Sequence, residues 1–492
     1  MTERTRKNAS LPAIFLALCL LSSCGEGSAP STDTTVPTDT TAPEDTRVYP
    51  NLPEKDFGGA EYVISTFSLW GDDYVFAEEQ NGDVLNDAIF ARNSAIEEKY
   101  NVKIRVDIYE RQTVEVKNRV EQSVTAGDGA IDLAMTNCQD AARLMSGGFL
   151  MPLDDVPHLD LSKPWWDQRA VEDLSIGGEL YFTMNSLNIM ADNFSSAVFF
   201  NKGMLADYQL DDPYKLVDDN KWTWDKMLTM AKVASKDVDG DGEMTDKDTW
   251  GVLASYRMLG DGMANCGELI ITKDKDDYPV LALSTSRSAS VCEKLLTLLS
   301  DSKTVLPVDK YAGQYTDAWQ DLMYPAFKSG HALFISRAYV QYVMYFRDSE
   351  VDYGILPRPK FDSAQDRYYT DINYAWASTV AVPRDVKDPE MAGIILEALA
   401  AESLYTVTPA NYDVTIVNKQ LRDEDSERML DIIYANRCFD YGQFMSLSDM
   451  NNKFINMYKS GNFTFASDYA ADKEAAGVKI ADLIDVLKDL EK

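Results

Sequence analysis

An acidic loop in the middle of the chain has the residue types and the spacing of a calcium site. The segment DVDGDGEMTDKD, residues 237–248, places aspartates at its first, third, fifth and twelfth positions and glycine at its sixth. In calcium loops of this pattern, oxygen ligands come from positions one, three, five, seven, nine and twelve, and the glycine allows a sharp turn. The predicted calcium ligands are Asp237, Asp239, Asp241, the carbonyl oxygen of Glu243, Thr245 and Asp248.

The alternative for this loop is a solvated acidic turn, because glycine and aspartate also favour turns without an ion. The number of matched positions in register favours calcium binding. The residues after Asp248, TWGVLAS, are typical of a strand rather than of the second helix of a paired calcium sensor. A single loop between a helix and a strand is therefore predicted to stabilise the fold rather than to act as a switch.

Residues for catalysis form no recognisable group in the sequence. The two histidines, His158 and His331, have neither metal-ligand spacing nor a nucleophile motif around them. The motifs GxSxG, GxxxxGK[ST] and HExxH are absent from the chain. Spacing alone cannot select a carboxylate pair for glycoside hydrolysis among 80 acidic residues. We predict that the protein is not an enzyme, with a secreted carbohydrate-active enzyme as the alternative.

Aromatic residues supply a second kind of chemistry, the recognition of sugars. Trp165 and Trp166 lie in KPWWDQ, and Trp222 and Trp224 lie in KWTWDK. Sugar rings have apolar CH faces flanked by hydroxyl groups, so aromatic rings near polar side chains suit carbohydrate binding. Packing in the core is the alternative for each single ring.

The beginning of the chain is typical of an exported lipoprotein. Basic residues precede an apolar run over 11–21, which is too short to span a bilayer and predicts a secretory signal. The following SSCG resembles the bacterial lipobox, in which Cys24 receives a lipid and becomes the first residue of the mature protein. We expect a signal peptide over 1–23 and anchoring on the extracytoplasmic face of a bacterial cell membrane. An ordinary cleavage site that contains a cysteine is the alternative.

Composition limits what the rest of the chain can do. Residues 24–50 are predicted to hold the lipidated cysteine and a linker, because their Thr, Pro, Ser and acidic residues cannot bury enough surface to fold. The net charge of −33 makes nucleic acid and anionic lipid headgroups poor partners. We expect a monomer that does not bind nucleic acid.

The remaining cysteines match no metal motif. Cys138, Cys266, Cys292 and Cys438 form no CxxC pair. Export permits disulfides, but about 450 residues can build a large core without them. We predict that all four are free and buried, with a Cys266–Cys292 pair as the alternative.

The chain from Asp56 onward alternates strand patterns with helix patterns. AEYVIST, VKIRVDIY and IDLAMTNC are typical of strands, and NGDVLNDAIFARNSAIEEKY and the segment beginning at Trp224 are typical of helices. This alternation predicts an α/β fold. The length favours two α/β lobes over one.

In this order, the segments resemble the extracellular solute-binding lipoproteins of ATP-binding-cassette importers, particularly the sugar-binding group. The resemblance extends from about Asp56 to the C-terminus, and its motifs include NGDVLNDAIFARNSAIEEKYNVKI, KPWWDQ, VFFNKGML, WTWDKML, FKSGHALF and YGILPRPKFD. It implies two α/β lobes of the type II periplasmic-binding-protein-like fold, joined by a hinge, with the ligand cleft between them. Members of this group often carry a calcium loop at this position, which agrees with structural Ca²⁺ as the expected cofactor.

The resemblance also implies lobe boundaries. The first lobe would comprise 51–187 with a return segment near 373–408, and the second would comprise 188–372 with most of 409–492. The crossings between lobes are expected near 184–194 and 369–376.

Cleft residues in such proteins come from loops that follow strands in both lobes. On this basis the predicted ligand-binding residues are Phe67, Ser68, Trp70, Asn137, Gln139, Asp140, Asn188, Asn193, Arg337, Tyr339 and Trp376. The implied function is to bind a sugar or an oligosaccharide and to deliver it to the transmembrane subunits of an importer. A surface adhesin is a further alternative, which the resemblance disfavours.

Overall fold

The computed structural model describes residues 47–69, 74–416 and 424–490. The predictions on Cys24, on the linker up to residue 46 and on Trp70 lie outside these residues. Within the described ranges, no helix combines the length and the apolar character needed to cross a membrane.

In the described ranges, ten strands form two larger sheets and one hairpin. Their bounds are β1 Ala60–Ser68, β2 Val102–Glu110, β3 Leu133–Ala134, β4 Ser196–Asn201, β5 Trp250–Ala254, β6 Ile271–Lys273, β7 Pro279–Leu281, β8 Val305–Pro307, β9 Ala332–Tyr339 and β10 Tyr353–Leu356.

The helices lie between and after these strands. Their bounds are α1 Val84–Tyr100, α2 Thr113–Ala126, α3 Cys138–Ser146, α4 Gln168–Leu174, α5 Met190–Asn193, α6 Lys202–Asp207, α7 Pro213–Asp218, α8 Trp224–Ala234, α9 Met258–Asn265, α10 Ser286–Leu299, α11 Tyr324–Lys328, α12 Tyr342–Tyr345, α13 Pro389–Tyr405, α14 Val407–Ile416, α15 Glu424–Ala435, α16 Tyr441–Phe444, α17 Met450–Ser460 and α18 Phe465–Leu490.

The first sheet is parallel, with the order β2-β1-β3. Its longest pairing runs from Ala60 opposite Val102 to Ser68 opposite Glu110. Parallel neighbours need crossover connections, and α1 and α2 supply them. From the third residue onward, all of β1 is buried, as expected for a parallel strand covered on both faces.

The second sheet is mixed, with the order β10-β4-β9-β5-β8. Strand β4 pairs antiparallel with both β10 and β9, whereas β5 pairs parallel with both β9 and β8. Because β5 and β9 are parallel, the residues that follow Ala254 and Tyr339 leave the sheet at the same edge. Strands β6 and β7 form a separate antiparallel pair.

Local sequence explains where several helices begin. Asp83 caps α1 by accepting hydrogen bonds from the backbone N–H groups of Leu85 and Asn86, and Asn137 caps α3 in the same way toward Asp140. Thr223 caps α8, so this helix begins at Trp224 as the sequence predicts.

Two connecting segments run antiparallel beside each other between the sheets. The first contains Thr183 and Ser195, and the second contains Ile372 and Val380. Thr183 and Val380 exchange backbone hydrogen bonds of 3.1 and 2.8 Å, and Ser195 pairs with Ile372. A third segment joins them, because Thr370 pairs with Arg437 in the connection between α15 and α16. The C-terminal helices pack on elements far away in the sequence: α14 on α1, α15 on β10, and α18 on β7 and α3. The predicted lobe boundaries stay a prediction.

Arg437 connects these segments through two ion pairs. Its Nε lies 2.8 Å from Asp167, the capping residue of α4, and its Nη1 lies 2.6 Å from Asp192 in α5. The exposed fractions of the three side chains are 11%, 8% and 22%, so the charges have left most of their water. Burial opposes the charged form of Arg437, but the two carboxylates raise its pKa above the ordinary value.

The tryptophan pairs belong to the core. Trp165, Trp166, Trp222 and Trp224 are each at most 2% exposed. They contribute apolar area to folding and offer no ring face to a ligand, so core packing is the correct interpretation of both motifs. The four cysteines at 138, 266, 292 and 438 are free and buried.

Glu397 in α13 leads to a prediction on pH and stability. Its Oε2 accepts a 3.0 Å hydrogen bond from the Trp166 indole, and burial raises its pKa to about 7 from an ordinary value of 4.5. Between these values the folded state holds a proton that the unfolded state has lost, so stability falls as the pH rises through this window. Glu397→Gln should remove this contribution, which is at most roughly 3 kcal/mol.

The measurement is urea unfolding of wild type and variant between pH 4.5 and 8. Glu402→Gln on the same helix controls for the loss of one negative charge. Identical pH profiles of wild type and Glu397→Gln would contradict the prediction.

Candidate functional site

A polar cavity of about 360 Å³ lies where strands of both sheets end. It is bounded by the first turn of α3, which follows β3, by residues that follow β5, by the end of β9, and by the segment 371–375. We call it the cleft cavity. In α/β folds, ligands bind at the carboxyl ends of strands, so this is the expected place for a ligand site. Its lining residues are Gln139, Arg257, Gly260, Asp261, Arg337, Tyr339, Asp371, Ile372, Asn373, Tyr374, Ala375, Gln443, Asn451 and Ile455.

Three neighbouring side chains hold the Arg337 side chain in the cleft cavity. Its Nε lies 2.8 Å from Asp261, and its guanidinium lies 5.2 Å from the centre of the Trp319 ring and 5.7 Å from that of Tyr339. Burial opposes its charge, but Tyr339 and Asp261 raise the pKa of Arg337 above its ordinary value. The guanidinium is thus charged and held in one plane, which suits directional hydrogen bonding to a ligand.

Asp371 forms a second polar contact at the base of the same cavity. Its Oδ1 accepts hydrogen bonds from Ser196 Oγ at 2.6 Å and from Asn265 Nδ2 at 2.8 Å. Burial, followed by the charge of Asp261, raises the pKa of Asp371, and Arg358 opposes that shift from 4.0 Å away. The guanidinium of Arg358 is fully buried, and its Nε and Nη2 have no hydrogen-bond partner among the described residues.

Neutral amides complete the lining of the cleft cavity. Gln139 comes from α3, Asn373 from the second connecting segment, and Gln443 and Asn451 from the C-terminal helices. Amides can both donate and accept hydrogen bonds, as hydroxyl groups do. With Arg337 and the two carboxylates, they make a cavity suited to a ligand that carries many hydroxyl groups.

Two further cavities lie near the connecting segments. One of about 430 Å³ is lined by the start of α1 and by residues 340–347 that follow β9, together with Asn193. The other, of about 350 Å³, is lined by residues 164–169, 184–186 and 434–437 beside the Arg437 ion pairs.

Three of the predicted ligand-binding residues meet in the cleft cavity: Gln139, Arg337 and Tyr339. Asn193 lines the neighbouring cavity of about 430 Å³. Gln139 follows β3 and Asn193 lies between the two sheets, as predicted, whereas Arg337 and Tyr339 belong to the last residues of β9, which extends beyond the predicted strand.

Other predicted residues are buried and contact the protein itself instead of lining the cleft cavity. Phe67 is fully buried, because β1 is covered on both faces. Ser68 donates to Glu110, and Asp140 accepts from Thr113 and Arg143. Asn137 caps α3, and its side-chain amide donates a 3.0 Å hydrogen bond to the carbonyl of Ala375.

The last two predicted positions also lie outside the cavity lining. Asn188 is 4% exposed and accepts from the backbone N–H of Met190. Trp376 is half-buried against the core.

Several cavity residues were missed by the sequence analysis. Arg257 and Asp261 follow β5, so the rule that gave Arg337 could also have given them. Gln443 and Asn451 come from helices far along the chain, where no strand end or motif marks them.

The acidic loop brings three of its predicted ligands together. Carboxylate oxygens of Asp237, Asp239 and Asp248 lie within 4.8 Å of one another. Asp237 accepts from the backbone N–H groups of Gly240 and Gly242, while Asp241 instead accepts from that of Glu243. Oxygen-only donors of this kind fit Ca²⁺, the ion expected from the sequence.

The acidic loop and the cleft cavity lie at opposite ends of β5. Lys236 and Thr249 exchange backbone hydrogen bonds at the base of the loop, directly before β5, whereas Arg257 and Asp261 follow its other end. Five residues of strand span about 16 Å.

A cavity between two sheets, with connecting segments at its base, is the arrangement expected of a solute-binding protein. The model of the bacterial extracellular solute-binding protein family matches residues 77–401, and the chain belongs to this family. No curated protein matches the sequence significantly.

Solved structures share the fold at low sequence identity. An ABC substrate-binding protein from Listeria monocytogenes in complex with cycloalternan is 14% identical, with a TM-score of 0.53 over 87% of this chain and 99% of that one. A maltose-binding periplasmic protein from the same organism, in complex with maltose, is 16% identical, with a TM-score of 0.53 over 87% and 98%. MalX from Streptococcus pneumoniae, in complex with maltopentaose, is 16% identical, with a TM-score of 0.51 over 87% and 99%. These likenesses show the two-lobed α/β fold that the sequence predicts.

Proposed function

We propose that this protein captures an oligosaccharide outside the cell and delivers it to the permease of an ABC importer. The observation that carries the proposal is the cleft cavity, in which a charged Arg337 beside aromatic rings meets carboxylates and amides from several segments. Such a set of donors and acceptors satisfies the hydroxyl groups of a sugar.

The ligands of similar structures support a carbohydrate. The three structures named above were solved with cycloalternan, maltose and maltopentaose. Family membership supports the role in solute capture, and the permease partner follows from that role.

The carboxylates of the cleft cavity favour binding over glycoside hydrolysis. Hydrolysis needs one carboxylic acid and one carboxylate positioned on either side of the glycosidic bond. Asp261 is instead paired with Arg337, and Asp371 with Ser196 and Asn265. Their contacts suit positioning of side chains rather than proton transfer.

The test is a thermal-shift screen with neutral and acidic oligosaccharides, followed by calorimetry and by mass spectrometry of the recovered sugar. We expect a raised Tm, intact sugar and a smaller radius of gyration by small-angle scattering, because contacts made only in the closed state favour closure. Release of product would instead favour the enzyme. Absence of binding to every saccharide would reject the proposal.

We further propose that Cys24 carries the lipid that holds the protein at the membrane, on the basis of the lipobox-like SSCG and the polar linker behind it. Cys24→Ala should move the protein from the membrane fraction to the soluble fraction, because the acyl chains supply the affinity for the bilayer. Fractionation with detergent extraction measures this. Unchanged partitioning of the variant would contradict lipidation at this residue.

For the acidic loop we propose one structural Ca²⁺, held by Asp237, Asp239 and Asp248 with Asp241, the Glu243 carbonyl and Thr245 as further candidates. The clustered oxygens support the proposal. An ion would neutralise carboxylates that otherwise repel one another, and so would stabilise the folded state. The position at the far end of β5 favours a role in stability rather than in ligand contact.

Calcium should raise the Tm of wild type relative to a chelator, with about 2.7 kcal/mol of stabilisation at a calcium concentration one hundred times Kd. Asp239→Asn should remove most of this shift. Glu243→Gln removes the same charge from the same loop but leaves the backbone carbonyl, so it should keep the shift. Saccharide affinity should stay constant in both variants.

Two results would contradict the proposal. A wild-type calcium shift in Asp239→Asn would identify the loop as a solvated turn. Normal folding with loss of saccharide binding would place the ion in the ligand site.

A further inference from the structure

The cleft cavity is far less acidic than the whole protein. The chain carries a net charge of −33. The cavity lining holds two arginines, Arg257 and Arg337, and two carboxylates, Asp261 and Asp371, so its formal charges sum to zero. The buried Arg358, 4.0 Å from Asp371, adds one positive charge behind this lining.

Two of the arginines have a carboxylate oxygen within 4.0 Å of a guanidinium nitrogen, and Arg257 forms no such ion pair with the described residues. Arg337 lies 2.8 Å from Asp261, and Arg358 lies 4.0 Å from Asp371. Arg257 lines the cavity with an exposed side chain, whose guanidinium has no ion pair or hydrogen bond to another side chain in the described ranges. Arg257 is therefore the cation that a ligand can pair with at no cost to an existing contact.

The helices around the cavity add to its positive potential. Gln139 lies in the first turn of α3, and Gly260 and Asp261 lie in the first turn of α9. Helix N-termini carry partial positive charge from their free N–H groups. Burial also raises the pKa of Asp371, which disfavours its negative charge.

We infer that the saccharide bound in this cavity carries an anionic group, a carboxylate or a sulfate ester, and that Arg257 is the specificity-determining residue that pairs with it. The inference rests on the proposed function in saccharide capture. Arginine suits this role because its planar guanidinium can donate two hydrogen bonds to one carboxylate or sulfate. Arg337, held by Asp261, then binds neighbouring hydroxyl groups.

The experiment compares ligands that differ only in charge. Trimers of galacturonate, glucuronate and mannuronate are each paired with their methyl esters, and sulfated disaccharides are paired with their unsulfated forms. Affinities are measured by calorimetry for wild type, Arg257→Gln and Arg257→Lys. Arg428→Gln is the control, since it removes the same charge from helix α15. There Arg428 forms exposed ion pairs with Asp218 and Asp425.

We expect wild type to bind one acidic saccharide at least 10-fold more tightly than its neutral counterpart, with the difference shrinking as salt is raised from 50 to 500 mM. Arg257→Gln should abolish that preference, Arg257→Lys should restore part of it, and Arg428→Gln should leave it intact. A preference for the sulfated form alone would support the inference with sulfate as the anionic group.

Two outcomes overturn the inference, and they differ in what they say of the proposed function. Equal or tighter binding of neutral saccharides would reject the anionic ligand while leaving saccharide capture in place. A lack of binding to acidic and neutral saccharides alike would reject both. A charge preference that survives in Arg257→Gln would reject the role of this residue.

Discussion

Replacing Arg437 with glutamine is expected to lower the free energy of unfolding by about 3–5 kcal/mol, because it leaves two carboxylates without a counter-charge in a largely dry environment. Asp167 and Asp192 lie 2.8 and 2.6 Å from its guanidinium nitrogens, and Asp167 is only 8% exposed. Urea unfolding at pH 7 measures the loss.

A matched arginine provides the control for this prediction. Arg428 also pairs with two aspartates, Asp218 and Asp425, but its side chain is 42% exposed. Arg428→Gln should cost less than about 1 kcal/mol, because water already screens exposed pairs. Adding Asp192→Asn to Arg437→Gln should recover part of the loss. Equal effects of Arg428→Gln and Arg437→Gln would show that burial does not set the strength of these pairs.

The second large effect concerns ligand binding by Arg337. Arg337→Gln should weaken binding of the saccharide found in the screen by about 30- to 5,000-fold, since losing one partner of a buried charged contact costs about 2–5 kcal/mol. Arg337→Lys should give an intermediate affinity, because lysine keeps the charge but lacks the planar group that lies over Trp319 and Tyr339.

Folding is checked separately, because Arg337→Gln also leaves Asp261 without its partner. Circular dichroism and thermal unfolding show whether the variant keeps its structure. Arg287→Gln is the control, since Arg287 pairs with Glu268 and lies over Phe361 outside the cavity lining. Wild-type affinity in a folded Arg337→Gln would remove Arg337 from the site.

The neighbourhood of Arg337 was visible in the sequence, because cavity residues were expected at strand ends and strand patterns are local. Gln139 and Arg257 follow strands, while Arg337 and Tyr339 are among the last residues of β9. Phe67 is also near the end of a strand but is fully buried, because the parallel strand β1 is covered on both faces.

The aromatic residues show the limit of composition. KPWWDQ and KWTWDK combine rings with polar neighbours, which suits a sugar platform and a buried core equally well. Only packing decides between them, and it places all four rings in the core. Trp319, which is not among the predicted ligand-binding residues, lies against Arg337.

By itself, the sequence determined the alternation of strands and helices and the spacing of the acidic loop, because each depends on residues close together in the chain. The two-lobed solute-binding fold was implied by the resemblance to a known family. The tertiary structure alone decided which charges meet. Arg437 reaches Asp167 across 270 positions, and Asn451 shares a cavity with Gln139, because helices near the C-terminus fold back over both sheets. The physical reason is that periodicity records which face of an element is buried, but it does not record what that face is buried against.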